Sequence, residues 1–188
     1  MEISETGAWL FGGKKLESEH YYDNGLSNGM IALAKVLGHS EAYDFGCGMG
    51  KYVQSFNKSG IQTLGFDGNP NTNYPNCAVQ DLTDSSFSLA PRSFVITLEV
   101  CEHVPKHLEE VLLKTVDNHV KEKGTLVLSW AVEGQEGTGH VNCRNNDYVI
   151  AKFESMGYNY EKLQTAMLRQ TVTNAPWFRN TLLIFTKK

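Results

Sequence analysis

Short apolar runs alternate with amphipathic segments through most of the chain. The run at 93–98 is nearly all apolar, as expected of a strand covered on both faces of a parallel sheet. The amphipathic segments carry apolar residues at helical spacing and end near glycine. The pattern predicts strands at 41–45, 61–66, 77–80, 93–98 and 125–130, with helices at 27–37, 50–58 and 105–120.

The last part of the chain departs from this alternation. A helix is predicted at 147–156, a strand at 158–163, a short helix or turn at 165–171 and a last strand at 180–186. Because some of these segments are too short for a crossover helix, we expect the final strands to pair antiparallel at one edge. The predicted fold class is α/β: a three-layer α-β-α sandwich, Rossmann-like, with a mostly parallel seven-stranded sheet and an antiparallel edge strand.

Length and charge narrow the classes of function. The 188 residues can bury one sizeable core, so we expect a single domain over 1–188. A formal net charge of −4 and a pI near 5.9 argue against a broad basic face for nucleic acid. There is no apolar run of membrane-spanning length and no secretion signal at the start, and the four cysteines are scattered. We therefore expect a cytoplasmic protein that does not bind membranes.

The stretch from Asp44 to Lys51 carries the main candidate chemistry. Glycines at alternate positions after a strand allow a sharp turn on which a ligand can lie. Lys51 stands where a dinucleotide fingerprint requires its last glycine, and Asp44 is a poor neighbour for a pyrophosphate. The turn therefore favours a ligand with positive charge and hydroxyl groups, although it could also be a tight turn without a ligand.

A second acidic position follows the second predicted strand. Asp67, with Gly68 after it, lies where an acid can accept hydrogen bonds from both ribose hydroxyls of an adenosine ligand. Nicotinamide enzymes use the same arrangement, so Asp67 does not identify the ligand. The alternative is a turn formed by residues 67–70.

The pattern Asp-x-Gly-x-Gly-x-Gly resembles the first motif of class I S-adenosylmethionine-dependent methyltransferases. The resemblance implies that this turn faces the methionyl part of S-adenosylmethionine, that Asp81 reaches the adenine amino group and that Leu82 packs on the adenine ring. Asp81 could instead cap a helix. The cofactor-binding residues that follow from the turn, the strand ends and the resemblance are Asp44, Gly46, Cys47, Gly48, Gly50, Asp67, Gly68, Asp81, Leu82 and Glu99.

The run Glu99-Val100-Cys101-Glu102-His103 is the next distinctive feature. If it formed one helical turn, two carboxylates and an imidazole would share one side. The run resembles a stretch of two methyltransferase branches, those of ubiquinone-pathway O-methylation and of small-RNA 3′-terminal 2′-O-methylation, in which it holds a divalent metal. The resemblance makes His140 the residue that would complete such a site. In metal-free relatives the His faces the substrate and the Glu faces the fold, so both alternatives stay open.

The long glycine-rich loop at 131–142 is the expected site of acceptor contacts. His140 and Asn142 are candidates for polarising the acceptor or removing its proton, because an imidazole can take a proton near neutral pH. The catalytic candidates are His140 and His103, although His140 could instead cap the following helix. The phrase at 129–142 resembles a subfamily of uncharacterised class I methyltransferases.

Residues 1–25 are predicted to be irregular and are rich in aromatic side chains. They could cap the core, or His20 to Asp23 could fold over the cofactor as a lid. Trp177 and Phe178 could line the acceptor side or belong to the core.

These features together predict an S-adenosylmethionine-dependent methyltransferase. We expect it to move a methyl group by in-line displacement to an O or N nucleophile of a small molecule. The alternatives are a catalytically silent S-adenosylmethionine-binding or regulatory module and an NAD-dependent oxidoreductase.

Overall fold

The computed structural model describes residues 3–188, so Met1 and Glu2 of the predicted N-terminal segment lie outside the described residues. Its centre is a seven-stranded sheet with the strand order β3-β2-β1-β4-β5-β7-β6. The strands are β1 (Glu41–Phe45), β2 (Gln62–Asp67), β3 (Cys77–Val79), β4 (Arg92–Thr97), β5 (Val120–Ser129), β6 (Tyr158–Tyr160) and β7 (Leu182–Lys187).

The strand directions confirm the predicted fold class. Strands β3, β2, β1, β4 and β5 are parallel to one another. Strand β7 runs antiparallel to both β5 and β6, which places the antiparallel pairing at one edge of the sheet. The strand order reverses between β1 and β4, and in such sheets ligands bind beyond the carboxyl ends of the strands at this point.

Helices cover both faces of the sheet. They are α1 (Gly13–Glu19), α2 (Asn24–Val36), α3 (Lys51–Lys58), α4 (Glu109–His119), α5 (Asn146–Ser155), α6 (Lys162–Arg169) and the short α7 (Phe178–Thr181), with a 3₁₀ turn at Lys106–Leu108 before α4. Among residues 3–188, none of these helices has the length and apolar character that a membrane crossing requires.

Alternate side chains of β4 pack into two apolar clusters, one on each face of the sheet. Val95 packs with Leu113 of α4 and Phe153 of α5 in one cluster. Its neighbours Phe94 and Ile96 belong to the other cluster, which α2, α3 and α6 cover. The apolar run from Phe94 to Ile96 in β4 is therefore explained by burial on both sides.

Three local predictions were wrong. The segment at 13–19 is a helix rather than irregular chain, and it buries Leu16. The predicted strand at 158–163 stops at Tyr160, because α6 begins at Lys162 and buries Thr165 and Leu168. Residues 180–181 belong to α7 rather than to the last strand.

One buried carboxylate joins the start of α2 to a distant segment of the chain. Asp23 is fully buried and accepts a hydrogen bond from Leu26 N at 2.8 Å, which makes it the N-cap of α2. It also accepts from the Thr173 N and Oγ1 atoms, Asn174 N and Ala175 N. Burial opposes ionisation, yet these hydrogen bonds hold the pKa of Asp23 at about 2.

We predict that Asp23→Asn lowers the free energy of unfolding by about 2–4 kcal/mol, because an amide cannot accept all the hydrogen bonds that the carboxylate accepts. The pKa of Asp23 is lowered by folding, so its contribution is present above about pH 4 and is lost as the pH falls towards 2. Urea denaturation of both proteins at pH 7 and pH 3 measures this. Asp147→Asn, at an exposed aspartate, is the control. A loss that stays the same at both pH values would contradict the assignment.

Candidate functional site

A cavity of about 460 Å³ lies beyond the carboxyl ends of the strands. It is lined by the turn after β1, the segments after β2, β3 and β4, the loop after β5 and the N-terminal segment. Of the predicted cofactor residues, the lining includes Asp44, Gly46, Cys47, Asp67, Gly68, Asp81, Leu82 and Glu99; of the predicted catalytic residues, it includes His103 and His140.

The turn after β1 passes through two narrow gaps. Gly46 has φ +81°, and a Cβ atom there would lie 2.1 Å from Val100 Cγ2. Gly48 has φ +49°, and a Cβ atom there would lie 1.8 Å from the His20 ring. Both positions therefore require glycine for conformation and for space. Gly48 and Gly50 do not line the cavity themselves, since His20 covers Gly48 and Cys77 and Tyr74 pack against Gly50.

Asp67 is bound directly to this turn. Gly48 N donates to Asp67 Oδ2 at 2.8 Å, and Asn69 N donates to Asp67 Oδ1 at 2.8 Å. The carboxylate retains acceptor capacity towards the cavity after these two bonds. At the end of β3, Asp81 Oδ1 accepts from Thr83 N and Thr83 Oγ1, which gives it the hydrogen bonding of a local turn.

Two carboxyl groups in the lining are held in an apolar setting. Burial, together with the charge of Asp67, raises the pKa of Asp44 to about 7, and Asp44 Oδ2 has no hydrogen-bond partner among the described residues. Burial also raises the pKa of Glu99 to about 7, although a hydrogen bond from Ser129 Oγ opposes this. Glu99 adopts φ +55°, a conformation that is unusual for a residue with a side chain.

Glu102, His103 and His140 form a compact group at the side of the cavity. One ligand atom from each lies within 4.8 Å of the others. Glu102 is completely buried behind the cavity lining, and neither of its carboxylate oxygens has a hydrogen-bond partner among the described residues. Burial and the charge of Glu99 raise its pKa well above the ordinary value. Burial and the neighbouring His140 lower the pKa of His103 to about 4.

The predicted helical turn through Glu99, Glu102 and His103 does not form. Residues 101–104 form a tight turn, and Glu99 bonds to Ser129 instead of joining the other two. The positive φ of Glu99 ends the extended strand and turns the chain before Glu102. The structure therefore brings together Glu102, His103 and His140 but leaves Glu99 outside this group.

The loop at 131–142 is fixed against Glu102. Val141 N and Asn142 N both donate to the Glu102 carbonyl oxygen, at 2.9 and 3.0 Å. His140 Nδ1 lies 3.1 Å from the Gln135 carbonyl oxygen, so His140 does not cap α5, whose N-cap residue is Asn145. The prediction that Asn142 faces the acceptor is wrong, because its buried side chain donates to Glu109 Oε2 at 2.9 Å.

The N-terminal segment supplies one residue, Trp9, that the sequence analysis did not single out. Trp9 lies edge-on to His103, with ring centroids 5.2 Å apart, and to His20, at 5.6 Å. Tyr21 and Trp177 also line the cavity and pack edge-on at 4.9 Å. Asp23, included in the predicted lid, is instead the buried cap of α2. An aromatic residue among glycines is a signal for Trp9, but its partner, 94 residues away, cannot be inferred from the pattern.

A family described as a methyltransferase domain matches residues 32–160. No curated protein matches the chain in sequence.

Three solved structures show the same fold. Magnesium protoporphyrin IX methyltransferase from Synechocystis PCC 6803 with bound SAM is 13% identical, with a TM-score of 0.65 over 96% of this chain and 87% of that one. A TehB-like SAM-dependent methyltransferase from Corynebacterium glutamicum is 17% identical, with a TM-score of 0.64 over 93% and 94%. A Burkholderia thailandensis 1,6-didemethyltoxoflavin-N1-methyltransferase, solved with 1,6-didemethyltoxoflavin and S-adenosylhomocysteine, is 10% identical, with a TM-score of 0.60 over 88% and 79%.

We predict that Asp44→Asn is more stable relative to the wild type at pH 8 than at pH 4. The folded pKa of Asp44 is raised from 3.8 to about 7, so ionisation opposes folding increasingly between these values, by roughly 1.4 kcal/mol per pH unit. The melting temperature of the variant minus that of the wild type should therefore grow by several degrees from pH 4 to pH 8. Scanning calorimetry measures this, with Asp147→Asn at an exposed position as the control. A difference that does not grow with pH would contradict the prediction.

Proposed function

The chain belongs to this methyltransferase-domain family, and from that premise we propose that it transfers a methyl group from S-adenosylmethionine to an oxygen or nitrogen nucleophile of a small molecule. The observation that carries the proposal is the bond between the glycine turn and Asp67 at the rim of one cavity. This bond places glycine backbone, on which a ligand can lie closely, next to a carboxylate that can accept hydrogen bonds from ribose hydroxyls.

The charges of the cavity support a cationic cofactor. The lining includes one lysine and no arginine among the described residues, against the acids Glu19, Asp44, Asp67, Asp81, Glu99 and Glu136. A sulfonium and an ammonium group compensate buried carboxylates such as Asp44, whereas a pyrophosphate would be repelled by them. The NAD-dependent alternative is therefore disfavoured.

The same charges bear on the methyl acceptor. A phosphate-rich acceptor, such as the end of a nucleic acid, would be repelled by these carboxylates. In the described lining, Lys51 is the one basic side chain other than histidine that could offset the repulsion. The aromatic residues Trp9, Tyr21 and Trp177 offer flat apolar walls instead. An uncharged or cationic small molecule fits this cavity best.

The two histidines take different roles in the proposed transfer. A base with a pKa of about 4, as in His103, accepts a proton poorly at neutral pH. We therefore propose that His140 removes the proton of an acceptor hydroxyl and that His103 orients the acceptor. Most of the rate enhancement comes from holding the nucleophile in line with the sulfonium methyl, an effect of roughly 7–11 kcal/mol in well-oriented systems. A catalytically silent module has no need of imidazoles at this position, and their presence argues against that alternative.

We propose that the chain is one methyltransferase domain in which His20, Tyr21 and Tyr22, the first three residues of the predicted lid, cover the cofactor. His20 lies directly on Gly48, and Tyr21 and Tyr22 line the cavity beside it. Asp23 anchors the base of this lid through its bonds to residues 173–175.

Glu102, His103 and His140 also fit a divalent metal, and with a metal bound the two imidazoles would hold it instead of receiving the acceptor's proton. The fit is supported by the two unpartnered oxygens of Glu102, because a buried carboxylate without a partner is costly unless it is protonated or bound to a cation. One carboxylate and two imidazoles are ligands that Mn²⁺ and Zn²⁺ accept. When bound, a metal would supply Lewis-acid polarisation of an acceptor oxygen.

We predict that Asp67→Ala and His140→Ala affect different steps. Asp67→Ala should weaken S-adenosylhomocysteine at least about tenfold, since it removes the ribose acceptor and the bond to Gly48. His140→Ala should leave this affinity nearly unchanged but lower methyl transfer by roughly a hundredfold or more. Calorimetric titration measures the affinity, and release of labelled methyl into the small-molecule fraction of a cell extract measures the transfer. A collapse of cofactor affinity in the His140 variant would contradict the assignment.

We predict that the protein binds Mn²⁺ and that Glu102→Gln weakens this binding at least about tenfold, because the variant removes the one anionic ligand of the group. Electron paramagnetic resonance titration with MnCl₂ measures free Mn²⁺ directly and needs no acceptor. Glu136→Gln, on the exposed loop that lines the cavity, is the matched control. Equal Mn²⁺ affinity in the two variants would exclude the metal site.

A further inference from the structure

Residues 3–9 form a small hairpin with its own hydrogen bonds. Ile3 and Trp9 pair as an antiparallel bridge, and Ser4 N donates to the Ala8 carbonyl oxygen at 2.8 Å. Gly7 N donates to the Ser4 carbonyl oxygen at 3.0 Å, and Ala8 N donates to Ser4 Oγ at 2.9 Å. The hairpin is therefore a defined unit and not loose chain.

The hairpin reaches the acceptor side of the cavity through close backbone contacts. A Cβ atom on Gly7, which has φ +92°, would lie 2.2 Å from the His103 carbonyl oxygen and 3.0 Å from Val104 Cα. Ile3 Cδ1 would lie 2.7 Å from a Cβ atom on Gly139, next to His140. The hairpin thus packs on the segments that carry both histidines.

The same segment reaches the cofactor side. A Cβ atom on Gly68 would lie 2.6 Å from Ala8 Cβ, directly after Asp67. Asn69 Nδ2 donates to the Phe11 carbonyl oxygen at 2.9 Å, and Asn71 Nδ2 donates to that of Leu10 at 3.2 Å. Asn69 N also binds Asp67, so the proposed ribose acceptor and this segment share one asparagine.

We propose that residues 3–11, here called the N-terminal strap, close over both ligands and link cofactor binding to formation of the acceptor site. Residues 6–9 form part of the cavity wall, so lifting the strap widens the path by which a cofactor enters or leaves. Gly12 and Gly13 follow the strap, and the Cβ position of Gly13 has no atom within 4 Å, which leaves room for a hinge. Cofactor contacts at Asp67 and Gly68 hold the strap down, and the closed strap places Trp9 against His103. This inference rests on the proposed function.

The test uses the full chain and S-adenosylhomocysteine as the probe. Gly7→Ala would push the strap away from His103, and Gly157→Ala is the matched control: φ is +94° there and no atom lies within 4 Å of its Cβ position. Both variants carry the same backbone strain, but only the first loses the strap contact. Dissociation of labelled S-adenosylhomocysteine, chased with unlabelled compound, gives the release rate.

We expect release from Gly7→Ala to be at least about tenfold faster than from Gly157→Ala, and release from Gly157→Ala to be within about twofold of the wild type. Asn71→Ala, which frees Leu10 without touching the Gly7 contact, should also release faster. Chymotrypsin cleavage at Trp9 and Phe11 should be slowed by S-adenosylhomocysteine in the wild type and not in Gly7→Ala.

Equal release rates in Gly7→Ala and Gly157→Ala, or cleavage that the ligand does not slow, would overturn the strap while leaving the proposed function intact. A wild-type protein that does not bind S-adenosylhomocysteine would instead refute the proposed function.

Discussion

The rest of the site depends on the close passage of one glycine turn between its neighbours. Gly46 passes under Val100 and Gly48 passes under His20, both at distances that leave no room for a side chain. Val100 follows β4, and His20 comes from the N-terminal segment, so the turn brings together the two strands at the reversal of strand order and the covering segment. A side chain at Gly46 or Gly48 would separate these parts and open the cavity.

The sheet explains why distant acids meet in that cavity. The carboxyl ends of β1, β2, β3 and β4 lie at one edge because these strands are parallel and adjacent. Asp44, Asp67, Asp81 and Glu99 lie at or just after the ends of these strands. Their convergence follows from topology and needs no long-range side-chain contacts.

This is also why the sequence predicts the cofactor half of the site better than the acceptor half. A strand end and a glycine turn are local features, and the parallel alternation then places Asp44 and Asp67 at the same edge. The acceptor half depends on contacts such as Trp9 with His103, which no local pattern specifies. Asn142 was misassigned for the same reason, since its partner Glu109 lies on α4. Glu99 lines the cavity, but its expected grouping with Glu102 and His103 fails because a positive φ at a glutamate has no sequence signal.

Asp44 and Glu102 present the same physical problem in two settings. Each is buried with unpartnered carboxylate oxygen among the described residues, and burial raises the pKa of each. The folded protein therefore retains protons on these groups at pH values at which the unfolded chain has already released them. A cation that binds either group replaces that proton. Asp44 faces the cavity beside the glycine turn, where the cation would belong to the cofactor, whereas Glu102 lies behind it with two imidazoles, where the cation would be a metal. Protonation and cation binding are therefore alternative ways for one fold to keep these two carboxyl groups buried.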